Sequence, residues 1–224
     1  MPCPFDTKPR WERRKEARPQ ELLEAAIDLF VERGYAATRL EDVARRAGVS
    51  KGTLYLYYEN KEELFKAVVR SSIVPAIGEA EVSVAEFDGP SADLLRHLIH
   101  NWWQRVGATK ASGIVKLVTA EADNFPELAK FYQDEVINRG TAAMSSMLER
   151  GIARGEFRPI DVKLMTQVLT APMLMLITWK HSVGPCPRAE LEPLAFLDTF
   201  LDMALHGLLP QEAGAAAGAV PDAG

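Results

Sequence analysis

Residues Thr38 to Phe65 read TRLEDVARRAGVSKGTLYLYYENKEELF, and their capping residues dictate short helices separated by sharp turns. Thr38 with Glu41, and Asn60 with Glu63, have the spacing of a capping box. In that arrangement a side chain at the helix start and a carboxylate three residues on satisfy each other's orphan amides. Gly48 supplies backbone freedom for a tight turn, and Ser50 a cap for the helix after it. That middle helix, about Lys51 to Tyr58, carries Lys51, Thr53, Tyr55 and Tyr57 with very little acid. Two capped helices around a glycine turn, the second polar and aromatic, are the makings of a helix-turn-helix that lays one helix against DNA.

The flanking sequence supplies a core for such a reader. From Pro19 the apolar positions Leu22, Leu23, Ala26, Ile27, Leu29 and Phe30 recur with helical period, and Gly34 ends that helix. The next helix, about Arg39 to Ala47, buries Leu40, Val43, Ala44 and Ala47. Leu54 and Tyr58 point inward from the middle helix, and Leu64, Phe65, Val68 and Val69 from the one that leads away. Everything downstream also has helical period, with no run of alternating β-branched residues. Asp88-Gly-Pro opens one helix, Ile114 to Ala122 forms another, and Asn124-Phe-Pro-Glu opens a long one that closes near Gly155. Asp161 caps a helix to about Lys180, and the last runs from about Leu191 to Leu208, stopped by Pro210. The fold class that follows is all-α. A basic, disordered arm (1–18) precedes a three-helix reader (19–66); a larger helical domain (67–209) and a low-complexity tail (210–224) follow.

Charge divides along the same boundary. The net charge of −5 argues against nucleic acid until it is split. Residues 1–70 hold 14 Lys+Arg against 12 Asp+Glu, whereas residues 71–224 hold 12 against 19. A reader with a basic arm (Lys8, Arg10, Arg13, Arg14, Lys15, Arg18) on an acidic body is compatible with that distribution. Cys3 and Cys186 have no Cys or His at metal-ligand spacing, and His97 and His100 lack a third ligand, so no metal or cofactor is expected. No stretch reaches the roughly 18 apolar residues of a bilayer span, and the first residues lack a signal peptide's apolar run; no membrane partner and a cytoplasmic location are the expectation. No nucleophile motif or phosphate loop appears, so an enzyme would need a site assembled from distant residues.

The last two helices are apolar around too much of their circumference for a single core. Met165, Leu169, Met173 and Leu176 on one, with Leu194, Leu197, Leu201 and Leu205 on the other, are the expected interface of a homodimer. Two helices from each subunit would make a four-helix bundle.

The segment GYAATRLEDVARRAGVSKGTLYLYYENKEELF resembles the DNA-binding domain of TetR/AcrR-type transcriptional regulators, in detail from about Glu21 to Val69. The G-Y-x-x-T entry, the A-x-x-A-G-V-S turn and the K-G-T-L-Y-x-Y-Y-x-x-K-x-x-L run occur together and in order. The acidic helical remainder looks like that family's divergent ligand-binding and dimerisation domain. The resemblance implies that Thr38 and Arg39 meet a phosphate at the mouth of the second helix. It implies that Ser50, Lys51, Gly52 and Thr53 open the recognition helix, that Tyr55 and Tyr57 contact phosphates and thymine methyls, and that Lys61 holds a further phosphate. Leu56 departs from the aromatic or polar residue often found between the tyrosines.

The resemblance further implies a repressor that binds palindromic double-stranded operator DNA as a homodimer and lets go when a small hydrophobic effector binds. An activator or architectural protein without a ligand is the alternative. Trp102, Trp103, Phe125, Phe131, Met144, Met147, Met165 and Trp179 are the candidate pocket residues, since Met and Trp suit varied apolar compounds.

Overall fold

The computed structural model describes the backbone of residues 10–183 and 191–210, with side chains for 19–182 and 191–210. Both cysteines, the side chains of the basic arm and the tail beyond Pro210 lie outside the described residues. Eleven α-helices and no strand occur among them.

The first helix, α1 (Arg10–Ala37), starts earlier than the Pro19 boundary expected from the sequence, with Pro19 inside it. Gly34, at φ 81, breaks its geometry as expected. Leu22, Ala26, Leu29 and Phe30 line its buried face. α2 (Leu40–Arg46) buries Leu40, Val43 and Ala44. It ends in a left-handed glycine turn: Gly48 has φ 66, its amide donates to the Arg45 carbonyl at 3.2 Å, and the Val49 amide donates to the Ala44 carbonyl at 2.9 Å. This crossed pair is the Schellman closure, which requires a residue free of the Cβ penalty where Gly48 sits. α3 (Lys51–Tyr55) follows at once. Ser50 accepts from the Thr53 amide at 3.1 Å and caps it. α4 (Lys61–Ser72) is capped by Asn60, which accepts from the Glu63 amide at 2.9 Å. Glu63 does not complete the reciprocal half of a capping box; it pairs with Lys66.

Thr38 does not cap α2. It is buried to 2% exposure, and its hydroxyl donates to the Gly34 carbonyl at 2.7 Å and the Leu29 carbonyl at 3.1 Å. The break at Gly34 frees acceptors at the end of α1, and a buried acceptor without a donor costs more than an exposed cap gains. Arg39 takes the N-cap position of α2, with no side-chain bond to the helix. Thr38→Val is expected to lower stability by about 1–3 kcal/mol, with Thr38→Ser close to wild type, as read by chemical denaturation.

The body comprises α5 (Val74–Glu86), α6 (Ser91–Trp102), α7 (Ala111–Glu121), α8 (Pro126–Tyr132), α9 (Asn138–Ala153), α10 (Val162–Thr178) and α11 (Pro193–Leu208). Three π-turns, Trp103–Gly107, Gln133–Ile137 and Trp179–Val183, continue α6, α8 and α10. Asp161 caps α10 through the Leu164 amide, and Gly155 turns the chain after α9 at φ 69. Pro75 in the first turn of α5 separates it from α4, so the helix leading out of the reader is two helices.

Reader and body are joined by packing as well as by chain. α1 lies along α7, where Gly113 admits Val31: a Cβ on Gly113 would sit 2.5 Å from the valine side chain. The Asp28 carboxylate pairs with Lys110 at 2.5 Å just ahead of α7. Phe30, Tyr35 and Phe65 form an aromatic cluster that Phe125, from the body, extends edge-on at 4.7 Å from Tyr35. α4 bears on α5, α7 and α8. α7 and α8 thus both bear on the reader, α7 on α1 and α4 and α8 on α4.

The outer helices correct the expected dimer positions. Leu169, Met173, Leu176, Leu197, Leu201 and Leu205 are buried within their own subunit and Met165 is half-buried, while Leu194 stays open. The open apolar stripe of α10 is a different one. Leu164 (64% exposed), Val168 (55%), Ala171 and Met175 recur at helical spacing, with Leu174 beside them. Both faces of α10 are apolar, and periodicity cannot say which belongs to the subunit's own core. The same two-sided composition makes Val162–Ser182 long and apolar enough for a bilayer by length and composition, with mean hydropathy 1.3, where the sequence reading expected no such stretch.

Candidate nucleic-acid interface

The turn at Gly48 sets α3 across α2 so that the short helix has one side pinned and the other open. Leu54 is completely buried and anchors the pinned side. Lys51 and Gly52 are exposed, Tyr55 is 43% exposed, Leu56 is 84% exposed, and Thr53 and Tyr57 are half-buried. The backbone remains helical through Leu56 (φ −72, ψ −22), which places Leu56 one turn beyond Gly52 on the outward pole, opposite Leu54. Arg39, at the start of α2, is exposed as well. Among the residues expected at this surface, Lys51, Gly52 and Tyr55 stand together on the open side of α3.

Two of the cations there are already partnered, in different ways. Lys51 reaches back to Glu41 at 2.5 Å and lies 5.6 Å from the centre of the Tyr55 ring. The hydrogen bond to Glu41 holds its ammonium above the ordinary lysine range. Both groups are exposed, so the pair is weak and exchangeable. Lys61 is more firmly held. Its ammonium donates to the Tyr35 carbonyl at 2.8 Å and the Ala36 carbonyl at 3.2 Å, and sits 4.4 Å over the Tyr35 ring. Burial pulls its pKa down. Lys61 thus neutralises the carbonyl end of α1, a structural task beside the phosphate contact expected of it. Thr38 is corrected, since neither its hydroxyl nor its amide, which donates to the Tyr35 carbonyl, is free. The hydroxyl of Thr53 hydrogen-bonds Ser50 Oγ at 2.8 Å, so that pair rigidifies the start of α3.

The eight aromatic and methionine side chains expected around an effector have different surroundings. Met147, Met144 and Trp103 are core, and the Trp103 ring fills the space against Gly107. Phe131 lies beneath the Lys66 and Arg70 cations, and Phe125 borders only a crevice of about 10 Å³. Trp102, Met165 and Trp179 are half-buried, and the Trp179 indole nitrogen has no hydrogen-bond partner. Two larger cavities formed by described residues are lined by none of the eight, and both sit at the seam of reader and body. One of about 220 Å³ separates Phe30, Val31 and Gly34 of α1 from Gly113, Lys116, Leu117, Ala120 and Glu121 of α7, with His181 at its edge. The other, of about 350 Å³, lies among Leu23 and Ile27 of α1, Val68, Ser71 and Ser72 of α4, and Thr109 to Ala111. Residue type alone pointed to the body's interior; the cavities at the seam exist only once α1 is laid on α7.

Comparison with known proteins decides what this reader is. Residues 22–68 match the model of the bacterial regulatory proteins of the tetR family, and residues 89–196 match the tetracyclin repressor-like C-terminal domain. The chain belongs to the TetR family. It is a transcription regulator with a helix-turn-helix DNA-binding domain, as its relatives are. The HTH-type transcriptional repressor KstR2 of Mycolicibacterium smegmatis is 28% identical over 177 residues, 78% of this chain and 85% of that protein. The structure of the ketosteroid transcriptional regulator KstR2 of Mycobacterium tuberculosis matches with a TM-score of 0.68 at 23% identity, covering 87% of this chain and 96% of that one. That of FadR from Bacillus subtilis, in complex with stearoyl-CoA, matches with a TM-score of 0.66 at 20% identity, covering 84% and 98%. At these identities the structural matches speak for the fold, and they carry the N-terminal reader and the helical body together.

Proposed function

We propose that this TetR-family regulator is a repressor that binds a palindromic operator as a homodimer and releases it when a small hydrophobic effector binds. The open face of α3, with Lys51, Gly52, Tyr55 and Leu56 turned out while Leu54 is locked in, carries the reading. On DNA, Lys51 exchanges Glu41 for a guanine edge or a phosphate. Tyr55, Tyr57 and Arg39 bind the backbone, and Ser50 and Thr53 hold the start of the recognition helix in shape.

One recognition helix reads only a few base pairs, so a second copy is required for a long site. The stripe Leu164, Val168, Ala171 and Met175 on α10, with Leu194 of α11, is the surface we assign to that copy. It is apolar, continuous and unpartnered among the described residues, which accounts for the membrane-like composition of the helix without a membrane. As a DNA-bound regulator the protein works in the cytoplasm.

Release follows from the seam. An effector that prefers a conformation in which α7 stands away from α1 shifts the spacing between the two recognition helices, and half-sites about 34 Å apart tolerate little such error. Two relatives are a repressor and a regulator solved with an acyl-CoA, which supports a hydrophobic effector here. The test is fluorescence anisotropy of a duplex from the chain's own promoter region, titrated with protein and then with hydrophobic ligands, stearoyl-CoA among them. Saturable binding that a ligand reverses is expected. Binding that no hydrophobic ligand disturbs would favour a ligand-free activator or architectural protein.

A further inference from the structure

We infer that Leu56 is a specificity-determining residue that reads the C5-methyl group of a thymine in the major groove of each half-site. The inference rests on the DNA-binding reading above and names part of the sequence that reading leaves open.

Leu56 is the most exposed large hydrophobic side chain among the described residues, at 84%, and none of those residues covers it. It stands on the outward pole of α3, one turn beyond Gly52. Nothing among the described residues requires a glycine there. Its φ is not left-handed, and an added Cβ would meet only Ser50 Oγ, at an ordinary 3.8 Å. Gly48, four residues earlier, contrasts with it, because its φ of 66 makes glycine necessary for the turn.

A helical glycine that the fold does not need loses stability relative to alanine, so its use is outside the chain, where the backbone must approach a surface closely. Close approach at Gly52 carries Leu56 to the depth of the base edges. The one apolar group those edges present is the thymine methyl. Lys51 and Tyr55 flank the pole and hold the polar and phosphate contacts that Leu56 does not make, so its contribution is discrimination among bases.

The test starts by selecting bound duplexes from a random pool with the wild-type chain. In the selected site each thymine is replaced in turn by deoxyuridine, which removes only the methyl group. Affinities are then measured for wild type and Leu56→Ala, whose exposed position leaves the fold intact. One thymine per half-site is expected to cost wild type about 4-fold on loss of its methyl, and about 15-fold when both half-sites are changed. Leu56→Ala should bind the unmodified site more weakly and show no further loss at those positions. Penalties that are the same in both proteins, or absent at every thymine, overturn the assignment while leaving DNA binding intact. A pool from which no duplex is enriched overturns the DNA-binding reading itself, and this assignment with it.

Discussion

Glutamate in place of Val168 is expected to convert the proposed dimer to monomers and to weaken operator binding by about 10²–10⁴-fold. Val168 is 55% exposed at the middle of the α10 stripe, between Leu164 and Ala171, so the substitution touches nothing the protomer needs for folding. In a two-fold interface the change places a carboxylate on each side. Desolvating an unpaired carboxylate costs several kcal/mol, and here the two also repel. The loss on DNA follows from arithmetic. With both readers in one particle, the second half-site is met at a high effective concentration, and a monomer forfeits that gain without losing a single contact of its own. Sedimentation equilibrium and anisotropy on the same samples check both halves. A Val168→Glu protein that remains dimeric would move the interface elsewhere, and α11, with Leu194 and Met203 open, would be the next surface to examine.

The second large effect is expected at Gly52, with opposite signs in the two measurements. Gly52→Ala should leave the fold as stable or stabilise it, by up to about 1 kcal/mol, because alanine favours helix and the new Cβ meets only Ser50 Oγ at 3.8 Å. The same methyl stands on the outward pole of α3 and keeps the helix from the base edges. Loss of one well-made base contact is worth about 1–3 kcal/mol, so operator affinity should fall roughly 5- to 150-fold per half-site. Thermal denaturation and anisotropy separate the two effects. Undiminished affinity in a protein of raised Tm would show that the pole of α3 does not face DNA. A merely structural glycine would lower both quantities together.

The reader was legible in the sequence because its signals are local. Ser50, Asn60 and Gly48 act on amides and carbonyls within a few residues of themselves, and each does in the structure what its spacing predicts. Thr38 was misread, and the structural task of Lys61 left unseen, for the converse reason. The threonine has the spacing of a cap and the lysine stands at a helix start, but the broken end of α1 offers both of them buried or half-buried carbonyls, an offer visible only after α1, α2 and α4 meet. The proposed dimer surface shows a different limit. The apolar character of α10 is plain from its composition, yet Leu169, Met173 and Leu176 cannot be told from Leu164, Val168 and Met175 by pattern when both faces are apolar. For the effector, Met and Trp mark adaptable packing as readily as a pocket. The seam from which release is proposed to follow is lined by Val31, Gly34, Gly113, Thr109 and their neighbours, which carry no such mark.

The central claim is that the open face of α3 is the DNA-binding surface, and Lys51→Ala with Tyr55→Ala tests it most directly. Both side chains are exposed, so helicity by circular dichroism and oligomeric state by sedimentation should match wild type. Anisotropy titrations on an operator duplex over a range of salt concentrations then give affinity and its salt dependence together. The account predicts a binding curve at least ~10-fold weaker, with the slope of log affinity against log salt shallower by about 0.9 for each phosphate contact removed. Equal affinity and an equal slope for the double variant and the wild type would contradict it.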